Sequence, residues 1–195
     1  MYDLVLKNCN VVNENVVSEV DIGINNERIE KIAANISSEA RDEIDLQGKL
    51  LIPGLIDDQV HFREPGLTHK GEIATESKAA IAGGVTSYFE MPNVNPNTST
   101  IENLEKKFDI AANKSYANYS FYLGATNDNI EEIKKSDPGA SCGLKVFMGA
   151  STGDLLVDKY ESLEKIFEHC PTNIVTHCED PKRLIENENI FQEKY

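Results

Sequence analysis

Asp57, Gln59, His61 and Arg63 follow one another at every second position, directly after the apolar pair Leu55-Ile56. In an extended chain alternate side chains point the same way, so a carboxylate, an amide, an imidazole and a guanidinium would converge where such a strand ends. The plain alternative is that His61 closes a strand end and Arg63 pairs with a surface carboxylate, which is the better reading for an isolated histidine. Three later segments weigh against it. Glu90-Met91-Pro92-Asn93-Val94-Asn95-Pro96-Asn97 ends another apolar run, although by itself it reads as a Pro/Asn turn. Lys145 stands inside Gly143-Leu144-Lys145-Val146-Phe147-Met148, where an ammonium is costly to bury. It either snorkels to the rim or has lost its charge, as carbamylation by CO2 would bring about. Asn173-Ile174-Val175-Thr176-His177 carries a second histidine at a strand end. Histidines and a carboxylate-like oxygen are the ligands of zinc or a similar divalent ion.

The elements that must position these residues fall into two kinds. Up to about residue 50 the chain reads as short strands: Asp3–Leu6, Val20–Ile24 and Arg28–Ile32 alternate, with a turn at Asn25-Asn26. Consecutive strands with tight turns suggest a small antiparallel sheet. After Pro53-Gly54, strands and helices alternate. Candidate strands are Leu50–Ile56, Val85–Met91, Asn118–Ala125, Gly143–Met148 and Asn173–His177, spaced at about the 30 residues of a βαβ unit. Helices are predicted over Glu72–Ile81, ending at Gly83-Gly84, from the capping-box spacing of Ser99 and Glu102 to about Asn113, and over Tyr160–His169. The expected domains are 1–52, an N-terminal β domain, and 53–195, an α/β domain. Five strands could begin a doubly wound sheet or a (β/α)8 barrel. A whole barrel takes about 250 residues, and residues 54–195 are too few.

Composition excludes some functions. Nineteen Lys and Arg against 33 Asp and Glu leave a net charge of −14, the wrong sign for nucleic acid or an anionic membrane. A small-molecule substrate is untouched by this argument, since one arginine in a pocket outweighs a distant acidic surface. Cys9, Cys142, Cys170 and Cys178 form no CxxC pair, and neither a signal peptide nor a long apolar run is visible. A reducing cytoplasm is the expected compartment. His69 and His169 lie in no such pattern and are read as surface or loop residues.

The ordered set PGLIDDQVHFREPG, GGVTSYFEMPNVNP, GLKVFM and VTHCED resembles the dihydroorotases of the amidohydrolase superfamily, whose relatives include allantoinases and hydantoinases. The resemblance covers essentially the whole chain. It implies the sandwich-type β domain of these enzymes followed by the first five strands of a truncated (β/α)8 TIM-like barrel. By the same resemblance His61 is the second histidine of an HxH metal pair, Lys145 a carbamylated bridging ligand, and His177 a ligand of the second metal. The implied cofactor is one or two divalent ions, zinc being the expected one. Arg63 and Asn93 correspond to substrate-holding residues, the arginine through a carboxylate, which a guanidinium fork suits bidentately. Allantoinase-like sequences carry asparagine at the arginine position, so Arg63 favours dihydroorotate.

The implied reaction is the reversible hydrolysis of dihydroorotate to N-carbamoyl-L-aspartate in pyrimidine biosynthesis. Two departures qualify it. Gln59 replaces the first histidine of the HxH pair and is a weaker donor towards zinc, so its place at the metal is in doubt. The family's later histidine and its general-base aspartate would lie beyond Tyr195, so the chain by itself is expected to be inactive. Two rivals stay open: another cyclic-amide hydrolase of the allantoinase or hydantoinase type, and a catalytically silent structural partner, for instance of aspartate transcarbamoylase. A homo-oligomer is compatible with either.

Overall fold

The computed structural model describes residues 1–149 and 153–194. They form two compact units, Met1–Gly54 and Leu55–Tyr195.

The first unit is a single mixed sheet. Strands β1 (Tyr2–Asn13), β2 (Val16–Asn25) and β3 (Arg28–Ala33) are antiparallel neighbours. β4 (Ala40–Asp45) and β5 (Leu50–Leu51) both add to β1 in parallel, so the antiparallel expectation holds only for the hairpins. Both hairpins close with two residues at positive φ: Glu14 and Asn15 (49° and 62°), then Asn26 and Glu27 (49° and 61°). This is the backbone that matches strand twist in a two-residue turn, and it puts the second turn one residue later than Asn25-Asn26. Asp21, 4 % exposed, accepts from Asn8 N, Ile36 N and Lys7 Nζ, each at 2.9 Å, and so pins the bulge between Leu6 and Cys9.

The second unit alternates strand and helix. β6 (Leu55–Val60), α1 (Ile73–Ala82), β7 (Val85–Glu90), α2 (Ile101–Lys114) and β8 (Asn118–Gly124) come first. The short α3 (Ile130–Ile133), β9 (Gly143–Phe147), α4 (Tyr160–His169), β10 (Ile174–His177) and α5 (Pro181–Lys194) follow. The five strands are all parallel, in the order β10-β9-β8-β7-β6. The predicted strand Leu50–Ile56 is in fact two: Leu50–Leu51 belongs to the first sheet, and the barrel strand begins at Leu55. Thr100, rather than Ser99, caps α2, its side chain accepting from Asn103 N at 3.1 Å.

Period-two alternation sorts each strand into two faces. Leu144 and Val146 pack with Leu123, Val157 and Ile166 of α4. Tyr88 and Phe121 pack with Ile73, Leu104 and Ala111 of α1 and α2. The intervening residues, Phe89, Tyr122, Lys145 and Phe147, therefore face the other side. Phe89 and Tyr122 meet there edge to face at 6.3 Å, and Tyr122 Oη donates to Asp58 O, two strands away, at 3.1 Å. A flat sheet could not make that bond. The five strands curl into a half-barrel whose interior holds the alternate residues.

Candidate active site

Asp57 pairs with the helix-side Tyr88, because a register shift between Asp57 and Val60 breaks the period of two. β6 ends at Val60, which packs on the helix side, so its neighbours Gln59 and His61 turn to the inner face. Alternation stops there. Arg63 has φ +70°, a left-handed backbone that takes it out of the period of two. The expectation that Arg63 shares the direction of His61 by spacing is therefore replaced by a turn that carries it to the loop after β7. Its Nη1 comes 3.4 Å from Asn93 O. His61 Nδ1 meets Asn93 Oδ1 at 2.9 Å. Because an amide oxygen only accepts, Nδ1 carries the proton, Nε2 keeps its lone pair, and the Asn93 amide nitrogen stays available as a donor.

The two loops are fastened at several points. Asn95 N donates to Pro65 O at 3.1 Å, and Gly66, at φ +78°, packs against the Asn95 carbonyl where a Cβ would collide with it. Glu64 Oε2 accepts from Ile73 N at 2.9 Å and serves the start of α1, which Glu72 leaves without a side-chain cap. His61 reaches solvent, yet its partial burial and the nearby Arg63 guanidinium hold it below the ordinary histidine range; the Asn93 bond opposes the shift.

Lys145 lies opposite, on β9. It is 2 % exposed, its Nζ stands 5.0 Å over the Phe147 ring, and no carboxylate among the described residues lies within ion-pairing distance. Burial pushes the ammonium below the usual lysine range. Its charge also bears on His61, from a strand three places along the sheet, which again reflects the curl. His177 ends β10, with its ring 6.2 Å from that of Phe147 and its Nε2 3.2 Å from Glu179 Oε1. A cleft of about 500 Å³ adjoins this end of the sheet, lined by Met148, Leu156, Val157, Leu163, Glu179 and Lys182.

Among the described residues no three His, Cys, Asp or Glu side chains gather around one point. The donor set fits a divalent ion in another way. Two imidazoles and the Gln59 amide offer lone pairs, whereas Lys145 offers none as an ammonium. Its burial without a carboxylate partner eases loss of the ammonium proton, and the free amine could add CO2 and release a further proton to become a carbamate, an anionic oxygen donor.

Glu90 and Lys107 had no place in the sequence reading. Both are fully buried, 3.0 Å apart, and Glu90 Oε1 accepts from Arg63 N at 3.0 Å. One signal was available. Leu104, Lys107 and Ala111 form the buried stripe of α2, and a lysine on such a stripe implies a buried partner.

Residues 48–137 match the family model described as dihydro-orotase-like. Over that stretch the sequence is dihydro-orotase-like. This dihydro-orotase-like chain is 35% identical to an allantoinase of Desulfitobacterium hafniense (strain Y51) over 185 residues, 92% of the chain and 41% of the relative. It is equally, 35%, identical to a dihydroorotase of Methanosphaera stadtmanae over 193 residues, covering 95% and 42%. In structure it is similar to the L-hydantoinase from Arthrobacter aurescens, with a TM-score of 0.87 and 30% identity over 93% of the chain and 42% of that protein. The dihydro-orotase-like chain thus spans about two fifths of the length of these relatives.

Proposed function

We propose that the protein carrying this chain is a hydrolase of cyclic amides, with dihydroorotate as its substrate. The observation that supports it is the fixed pair of Arg63 and Asn93 beside His61 at the C-terminal ends of the half-barrel strands, the end at which barrel enzymes place their chemistry. Arg63 would hold the carboxylate beside the ring through two parallel hydrogen bonds. The Asn93 amide nitrogen would donate to a ring carbonyl, and His61, tied at Nδ1, would keep a fixed orientation throughout. His61, His177, Gln59 and a carbamylated Lys145 would hold a divalent ion, zinc among the candidates by ligand type. When bound, such an ion supplies Lewis acidity to the amide carbonyl and to water. The four cysteines, none of them in a disulfide, support action in a reducing compartment.

The test is turnover of dihydroorotate, allantoin and hydantoin by the full-length protein. Dihydroorotate is expected to give the highest kcat/KM, and Arg63→Ala to lose about 2–5 kcal/mol of transition-state stabilisation on it alone. Equal identity to an allantoinase and the hydantoinase-like structure keep a second reading, an allantoinase or hydantoinase activity. Preference for a ring without a carboxylate, unchanged by Arg63→Ala, would establish it.

A further inference from the structure

Removing both Glu90 and Lys107 from water is costly, and a buried ion pair alone is weak evidence of a stabilising role. What distinguishes this pair is what else it touches. Lys107 Nζ, arriving from α2, stands 3.0 Å from Glu90 Oε2 but gives its hydrogen bond to Met91 O, also at 3.0 Å, and lies 5.0 Å from the Phe121 ring centre. The other carboxylate oxygen, Oε1, takes the N–H of Arg63 at 3.0 Å. A backbone donor of the 61–67 loop therefore ends on this buried side chain. Arg63 is the residue at φ +70°, a conformation that a non-glycine residue keeps only where its surroundings hold it.

We propose that Glu90, anchored by Lys107, is a positioning residue: it fixes the Phe62–Arg63 backbone in the turn that directs the Arg63 guanidinium towards Asn93. This goes beyond the substrate assignment and rests on it only for its catalytic consequence. The required property is an acceptor at the position of Oε1. The charge pair serves to hold that acceptor still.

Two double variants of the full-length protein separate acceptor from charge. Glu90→Gln/Lys107→Met removes the pair and retains a carbonyl oxygen; Glu90→Leu/Lys107→Met removes the pair and the acceptor, leaving an apolar contact of similar size. Hydrogen exchange is measured on peptides spanning Phe62 and Arg63, with β1 and β2 peptides as internal reference, and KM and kcat on dihydroorotate. The Gln variant is expected to exchange at Phe62–Arg63 as the parent does. The Leu variant should exchange about tenfold faster there and raise KM by about tenfold with little change in kcat, as loss of one hydrogen bond predicts. In an Arg63→Ala background the same pair of substitutions should raise KM no further, since Glu90 acts through Arg63. If the Leu variant does not fold, Glu90→Asp, which keeps the charge but shortens the arm, should show the same changes in smaller measure. Parent-like exchange at Phe62–Arg63 in the Leu variant, or in Glu90→Asp, would overturn the proposal. The substrate reading fails separately: Arg63→Ala alone would leave KM unchanged while exchange at Phe62–Arg63 still depended on Glu90, and the backbone anchor would stand.

Discussion

His61 and Asn93, 32 residues apart, share a 2.9 Å contact between Nδ1 and Oδ1 that sets the tautomer of the imidazole. The bond raises the histidine pKa against a net downward shift from partial burial and Arg63. Asn93→Ala should therefore lower the His61 pKa further in metal-free protein, and Asn93→Asp should raise it. The sign follows from favouring the imidazolium less or more. A titration of the His61 ring resonances by NMR checks both, and a pKa unmoved by Asn93→Asp would mean that the contact is not made in solution.

For Lys145, an ammonium buried to 2 % exposure without a described carboxylate is expected to give way to a carbamate in the full-length, metal-loaded protein. Density on Nζ, or activity restored by bicarbonate after acid stripping, would record it. An unmodified lysine in active enzyme would return Lys145 to a buried structural amine.

Gln59→His should tighten one bound ion by about 10–100-fold, the size of change that metal-site substitutions often produce. Imidazole is a better zinc donor than an amide oxygen, which is commoner around harder ions. Competition with a chelator measures the difference. Two ions held tightly by the parent and unaffected by Gln59→His would make Gln59 a competent ligand.

Gly66→Ala addresses the clasp between the two loops. At φ +78° any side chain is strained, and the new Cβ would meet the backbone carbonyl of Asn95, which cannot step aside as a flexible side chain could. A loss of about 1–3 kcal/mol in denaturant unfolding is expected, with loss of affinity for substrate. Gly84, with φ +90° and open space around it, is the control: alanine there should show backbone strain alone.

Much of this was readable from local sequence because its causes are local. The alternation in β9 set Lys145 apart from Leu144 and Val146, and burial of those two against α4 puts the lysine on the opposite face. The run up to His61 and the histidine ending β10 were equally plain, since period two and strand termination are properties of a few successive residues. Even so, Arg63 shows where such reasoning stops. It continues the spacing of two in the sequence, but the strand has already ended at Val60, and it reaches Asn93 beside His61 through a turn at φ +70° rather than by alternation.

Pro65 and Gly66 mark a turn locally, but the contacts that hold Arg63 in its conformation come from elsewhere. That conformation is set by Glu90 from β7, by Lys107 from α2, and by the Asn93 and Asn95 backbone, none of them nearer than 24 residues to Gly66. Likewise Tyr122 reaches Asp58 only because the sheet curls, and His61 feels Lys145 only across that curl. The sequence alone determined that His61, Lys145 and His177 lie in or directly after parallel strands. Only the tertiary structure decided which of them meet. Hydrogen bonds and charges act over a few ångströms in space, and folding, through twist, curl and helix packing, converts separation along the chain into that distance.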